Sequence, residues 1–361
     1  MKNVNLSLIF IILIINVQTV LSEEQSPFLS DLEKHLKTKT SAQGGIEYDS
    51  NVYKTLDTVG LKDDFLFRFF LNFNSNYNLN KYDSIIFTYQ GGAKKFIDSD
   101  DKDTLLNSLK LGYRGIFFDK NLVAVEGNIK TKDERGSNAE LKEDYFLTWV
   151  EMRFGRTIHD FLDASADFQY TYFDFDANDN FDYQRGRYGF TLDKKFSRFY
   201  TADVGYHFSN QNFRETLIGF GDRVDTKHEF LTSFEADLLV LSRFSYIFED
   251  SNSNISGLSF TNHRFSLQIS RLFPWYITIV AQGTFQIKSY PASEFVDDEG
   301  QRYLLTESED ENFNSIILKI SKKLYEDLFL EFKFSRFSNE FSDKEDPFRR
   351  YLYNLSVRYV F

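Results

Sequence analysis

The stretch FLFRFFLNFNSNY, residues 65–77, decides the fold. Phe65, Phe67, Phe69, Leu71, Phe73 and Tyr77 share one parity. Arg68, Asn72, Asn74 and Asn76 share the other, with Leu66 and Phe70 as exceptions. Successive side chains of a β-strand point to opposite faces, so this alternation predicts a strand with an apolar and a polar side. The pattern recurs. Leu162, Ala164, Ala166, Phe168, Tyr170 and Tyr172 oppose Asp163, Ser165, Asp167, Gln169 and Thr171. Trp275, Ile277, Ile279, Ala281, Gly283, Phe285 and Ile287 oppose Thr278, Gln282, Thr284 and Gln286, with Tyr276 and Val280 as exceptions.

Read outward from these segments, the chain contains about 16 strands, within a range of about 14–18. Their expected spans are 40–53, 64–77, 82–96, 104–117, 121–132, 144–155, 161–173, 183–194, 199–211, 227–239, 241–250, 258–271, 275–289, 312–321, 327–338 and 349–361. The first and sixth carry the weakest alternation. Around Trp149 both faces are apolar, so the pattern does not say which side points outward. Short connections, such as Asp119–Lys120 and Lys195–Arg198, alternate with long ones, such as Asn212–Thr226 and Tyr290–Glu311. Strict alternation of this kind belongs to transmembrane barrels, and a β-sandwich has no reason for it. Of the four prolines, Pro27 precedes the first strand and Pro274, Pro291 and Pro347 fall in connections. None would remove a ladder donor from a strand interior.

The composition agrees. Hydrophobic residues make up 42% of the 361, yet the formal charge is -12, and 41 Phe and 21 Tyr supply much of the apolar surface. A soluble core leans on aliphatic side chains. A transmembrane barrel needs apolar residues toward lipid, polar ones toward a wet lumen and aromatics at both interfaces. After the first residues no apolar run approaches the roughly 20 that a membrane helix needs, so any crossing must be made by a sheet closed on itself. Residues 1–22 read as a cleaved signal peptide: Lys2, the run LSLIFIILII, and small Val20 and Ser22 before the cut. Losing Lys2 takes the charge from -12 to -13. Residues 23–39 form a periplasmic leader in which PFLSDLEKHL has the pattern of a short helix, and 40–361 form the barrel. The chain has no cysteine, hence no disulfide and no lipid attachment site.

The final residues, YLYNLSVRYVF, put Tyr351, Tyr353, Leu355, Val357, Tyr359 and Phe361 on one face and Arg350, Asn354, Ser356 and Arg358 on the other. This resembles the terminal strand of Gram-negative outer-membrane β-barrel proteins. The resemblance implies that Tyr353, Leu355, Val357, Tyr359 and Phe361 form the signal read by the barrel-insertion machinery. GGIEYDSNVYKT, residues 44–55, resembles the opening strand of the β-barrel porin families. The expected architecture is an all-β, transmembrane, antiparallel up-and-down barrel in the outer membrane of a Gram-negative-type bacterium.

Parity assigns the lumen. Expected basic lining residues are Arg68, Lys110, Arg114, Lys130, Arg153, Arg185, Arg187, Lys227, Arg243, Arg264, Lys288, Lys319, Lys333, Arg350 and Arg358. Expected acidic ones are Glu126, Glu151, Asp163, Asp167, Asp193, Asp203, Glu229, Glu235, Asp237, Glu249 and Glu331. Such a lining either sets up a transverse field across a water-filled pore or pairs across neighbouring strands. The long connections are acidic at 98–103, 174–179, 296–300 and 307–311. None completes a calcium loop: counted from Asp174, the glycine position holds Asp179 and the glutamate position Arg185. They read as a solvated rim that favours cations and could meet lipopolysaccharide phosphates through divalent ions.

YHFSN, residues 206–210, resembles the His-x-Ser-Asn stretch of outer-membrane phospholipases and lipid A deacylases, which implies His207 as base and Ser209 as nucleophile. Parity opposes it, because Tyr200, Ala202, Val204, Tyr206 and Phe208 take the lipid side and leave both residues in the lumen. Gln211 stands where a glycine commonly follows that motif. No cofactor, metal-ligand spacing or nucleic-acid patch is evident. The expected function is non-enzymatic: a porin-like channel for small hydrophilic solutes. The alternatives are a barrel for polysaccharide or lipoprotein export or assembly, and a lipid hydrolase using His207 and Ser209. Expected partners are outer-membrane lipid and lipopolysaccharide, the insertion machinery and the solutes themselves, with a homotrimer one option for assembly. The purified chain is expected to stay folded only in detergent or lipid and to give a β-type circular dichroism spectrum; a water-soluble or helical product would overturn the reading.

Overall fold

The computed structural model describes residues 35–53, 60–118, 120–135, 144–176, 182–214, 222–255, 258–289, 295–296, 302–303, 314–338 and 349–361. The signal segment and residues 27–34 of the leader's candidate helix lie outside these residues, and its last residue, Leu36, opens a strand instead. The described strands are β1 (Leu36–Asp49), β2 (Asp64–Asn78), β3 (Asp83–Phe96), β4 (Thr104–Phe117), β5 (Asn121–Glu134) and β6 (Tyr145–His159). They continue with β7 (Leu162–Phe175), β8 (Tyr183–Lys195), β9 (Tyr200–Phe213), β10 (Val224–Asp237), β11 (Leu241–Ser253), β12 (Phe260–Phe273) and β13 (Ile277–Ser289). A two-residue pair, β14 (Phe295–Val296) and β15 (Arg302–Tyr303), precedes β16 (Asn314–Lys323), β17 (Leu328–Ser338) and β18 (Arg349–Val360).

All strands except β14 and β15 form one closed antiparallel barrel of sixteen, each beside its sequence neighbours. Closure is made by β1 and β18, paired from Ser41↔Val360 to Asp49↔Leu352. The seam extends at both ends: Ser50 N donates to Tyr351 O at 3.0 Å and Phe361 N to Thr40 O at 2.8 Å. An edge in oil would leave a row of unsatisfied amides, so a sheet that crosses a membrane must close this way. One circuit of the ladder returns displaced by about 20 residues along β1, which corresponds to strands tilted by about 40°. Sixteen strands about 4.8 Å apart at that tilt enclose a cylinder roughly 30 Å across between backbones. No helix among the described residues is long and apolar enough to cross a membrane.

The strand boundaries follow the alternation closely, with instructive departures. β1 starts at Leu36, ahead of the expected residue 40, and ends at Asp49, ahead of the expected 53. Its first residues pair with β2 only, from Leu36↔Tyr77 onward, in a lysine-rich stretch that carries little apolar signal. Its end is set by Asp49, whose Oδ1 accepts from Asn51 N at 3.0 Å, while Asn51 Nδ2 donates to Arg349 O at 3.3 Å. β13 starts at Ile277 rather than 275, because Trp275 (φ 62°) and Tyr276 (φ 57°) form a left-handed turn behind Pro274. Trp149 points into the lumen, since it pairs across with Asn128 and Thr171 on the inner parity. Leu66, an exception to the alternation, also points inward, where it is fully buried with Val52, Phe96 and Tyr53 in a small apolar cluster below the β1–β2 connection.

The outer face carries most of the exposed large apolar side chains, among them Phe65, Phe67, Phe69, Leu111, Tyr188, Phe230, Phe285 and Leu355. Neighbouring strands stack aromatics there, as in Phe168–Tyr188 and Tyr246–Phe265, each with centroids 5.0 Å apart. Polar atoms on this face are held by tyrosines. Tyr89 Oη donates to Asn107 Oδ1 at 2.9 Å, and Tyr206 Oη lies 2.7 Å from His228 Nδ1. An unpaired polar atom in apolar surroundings costs several kcal/mol, so these bonds let Asn107 and His228 sit on the apolar outer wall.

The seam also depends on a missing side chain. A Cβ on inward-facing Gly45 would lie 2.4 Å from Leu355 O and 2.5 Å from Ser356 Cβ, whereas one on outward-facing Gly44 would meet nothing within 4 Å. Gly45→Val is expected to lower stability by about 1–3 kcal/mol in urea-dependent refolding into detergent, and Gly44→Val to leave it nearly unchanged; equal effects would show that the β1–β18 approach is not tight.

Candidate functional site on the inner wall

Because β-strand side chains alternate, the register fixes which charges face the lumen. Arg68, Lys110, Arg114, Glu126, Lys130, Glu151 and Arg153 take inward positions on β2, β4, β5 and β6. Asp163, Asp167, Arg185, Arg187, Asp193, Asp203, Lys227, Glu229, Glu235 and Asp237 do so on β7 to β10. Arg243, Glu249, Arg264, Lys288, Lys319, Glu331, Lys333, Arg350 and Arg358 complete the ring.

Several of these charges form a repeated unit: one carboxylate held by one or two bases on its own or a nearby strand. Glu331 accepts from Arg358 Nε at 2.9 Å and from Lys319 Nζ at 2.8 Å, with Gln43 Nε2 at 3.2 Å and Ser321 Oγ at 3.3 Å. Glu249 lies between Lys227 at 3.4 Å and Arg264 at 3.8 Å. Glu151 lies between Arg153 at 3.0 Å and Arg187 at 3.5 Å. Lys110 pairs with Glu126. A buried carboxylate needs such partners, because leaving it unpaired in a low-dielectric wall costs several kcal/mol.

One of the best-buried units escaped the sequence. Glu47 is 1% exposed, 2.8 Å from Arg68 Nη1 and 3.7 Å from Lys94 Nζ. Glu47 follows two glycines that give the strand no phase, and Lys94 stands beside Lys95 with nothing to say which turns inward. The register puts Lys94 inside and Lys95 outside, where it meets Asp103 at 2.5 Å. Asp49, which pairs with the expected Arg350, was equally unread, as was Glu134 with Lys132 at 2.8 Å and Lys102 at 3.1 Å.

The acidic stretch at 98–103 is engaged rather than simply solvated. Asp103 Oδ1 also accepts from Phe96 N at 2.8 Å, and Asp101 accepts from Tyr53 Oη at 2.8 Å. Among the described residues no group of His, Asp and Glu is arranged to hold a metal. The stretch 307–311, most of 296–300 and half of 174–179 lie outside the described residues.

His207 and Ser209 both face the lumen. The imidazole Nε2 lies 3.5 Å from Asp167 Oδ1, on the far side of Gly189, which separates the two in the ladder. A Cβ on Gly189 would come within 2.4 Å of both groups, so glycine makes room for this pair. His207 is thus part of the charge lattice, on the opposite side of the wall from the apolar outer face. Tyr353, Leu355, Val357, Tyr359 and Phe361 take the outer face of β18.

No family model matches the chain, and no curated protein matches it. Solved structures similar to it include porins and other outer-membrane barrels. The complex of Salmonella typhi OmpF with daunomycin is 11% identical over 90% of this chain and 97% of that one, with a TM-score of 0.49. OmpT, an outer membrane protein of Vibrio cholerae, is 10% identical over 90% and 97%, with a TM-score of 0.46. A bacterial polysaccharide outer membrane secretin is 6% identical over 89% and 98%, with a TM-score of 0.44.

The lattice makes a testable demand. Glu331→Gln leaves Lys319 and Arg358 without their acid and is expected to cost about 2 kcal/mol, less than for a dry pair because water reaches both bases. Arg243→Gln, at an exposed inner position, is expected to change stability by less than about 0.5 kcal/mol in the same urea titration. Equal costs would show that the lattice is not what stabilises the wall.

Proposed function

We propose that this chain is an outer-membrane, porin-like channel through which small hydrophilic solutes diffuse passively. One observation carries the reading: a closed barrel of sixteen strands whose outer face is apolar and whose inner face is charged from β1 to β18. A cylinder roughly 30 Å across leaves room for water once side chains line it, because eight strands already suffice to be filled by side chains alone and sixteen do not. An apolar outer wall belongs in lipid, and a charged inner wall belongs in water. The charge lattice keeps the wall rigid without filling the bore.

In this reading the exposed aromatic Phe361 and the outward residues Tyr353 to Tyr359 supply the insertion signal, and the lattice residues line the solute path. His207 serves Asp167 as a lattice partner rather than as a catalytic base. A homotrimer is the assembly that goes with the proposal, and native mass spectrometry in detergent tests it.

Planar-bilayer recording tests the channel itself. The reconstituted protein is expected to give steady, stepwise conductance that rises with salt concentration. A barrel that stays closed under all voltages would overturn passive diffusion and favour an export or assembly role. Lipid turnover abolished by Ser209→Ala would instead establish the hydrolase.

A further inference from the structure

The chain carries a formal charge of -12, which by itself favours cations. The inner wall is arranged otherwise. In the lattice units the acid lies at the bottom and the bases lie on top. Glu331 is 2% exposed, whereas its partners Lys319 and Arg358 are 39% and 26% exposed. Glu47 and Glu249 are buried in the same way beneath Arg68 and Lys94 and beneath Lys227 and Arg264. Each of these three units therefore holds two bases and one acid and turns the bases toward water.

The arrangement is densest on one side. Lys319, Lys333, Arg358, Arg68 and Lys94 lie on β16, β17, β18, β2 and β3, which flank the seam strand β1. Only Glu331 and Glu47 lie within ion-pair distance of these five among the described residues, and both are buried. Lys333 stands directly opposite Lys319 in the ladder and concentrates positive charge there, as the wall concentrates negative charge where Glu126 faces Glu151 and Glu229 faces Glu249. Inward acids do gather elsewhere. Asp163, Asp193 and Asp203 are neighbours across β7, β8 and β9, close to the short connections, where Thr157, Lys195 and Ser233 contact them. The half-buried basic band thus lies along the inner wall beside the seam, and the acidic row of Asp163, Asp193 and Asp203 sits near one end.

We propose that the lumen is anion-preferring, with the band from β16 to β3 attracting small carboxylates and phosphates along their path. Rings of Arg and Lys select anions in pores by this electrostatic route, and a charged, low-dielectric wall raises the local concentration of the opposite sign. The proposal rests on the channel reading and adds the sign of the solute charge.

The test is the reversal potential of the full-length protein in a planar bilayer under a potassium chloride gradient. The wild type is expected to pass chloride in preference to potassium. Lys333→Met breaks no ion pair among the described residues, so it should fold, and it is expected to lower the chloride-to-potassium permeability ratio about twofold, as one charge about 10 Å from a passing ion implies. Removing a whole unit, with Lys319→Met, Glu331→Gln and Arg358→Met together, is expected to lower it further. Asp193→Asn is expected to shift the ratio the other way. A conducting wild type that prefers potassium, or a ratio unmoved by Lys333→Met, overturns the anion proposal and leaves the channel intact. Absence of any conductance overturns the channel reading and the anion proposal with it.

Discussion

The structure depends on one constraint: an open sheet leaves a row of backbone N–H and C=O groups unpaired at each edge, and in the membrane setting proposed for this chain no water would satisfy them. A sheet meets that demand only when its last strand returns to its first. The pairing of β1 with β18, and the close approach that Gly45 allows there, are therefore the join on which the other fifteen interfaces rely. The same constraint explains the outer wall. Its few polar atoms, such as Asn107 and His228, are held by the hydroxyls of Tyr89 and Tyr206.

Closure creates a second problem, since sixteen strands enclose more space than side chains fill. A soluble protein would bury apolar groups there. This chain instead distributes charge, and the inner wall becomes a lattice in which carboxylates such as Glu47, Glu249 and Glu331 are each held by bases on the adjacent strands. The lattice holds neighbouring strands together on their inner side while aromatic stacking does so on the outer side. In the proposed channel it would also determine what a solute meets, because the bases are more exposed than the acids they hold.

Much of this was legible before any coordinates. Strict alternation, as in Phe65 to Tyr77, set the parity of fourteen-residue strands, and parity alone assigned Arg187, Glu249 and Glu331 to one wall. It failed where alternation carries no information. Gly44 and Gly45 gave β1 no phase, so Glu47 went unread. Trp149 sat between two apolar faces, and Lys94 and Lys95 were indistinguishable. Leu66 looked like an error of pattern until Val52 and Phe96 were seen to cover it.

The sequence by itself determined the strands and, wherever alternation was strict, their faces and inward charges, because a period of two depends only on the local pleat of the backbone. Only the tertiary structure decided which acid meets which base, that Asp167 finds His207 across Gly189, and that the bases overlie the acids. Those facts follow from register between strands far apart in the chain, such as β1 with β18, and register is fixed by closure of the whole barrel rather than by any one segment.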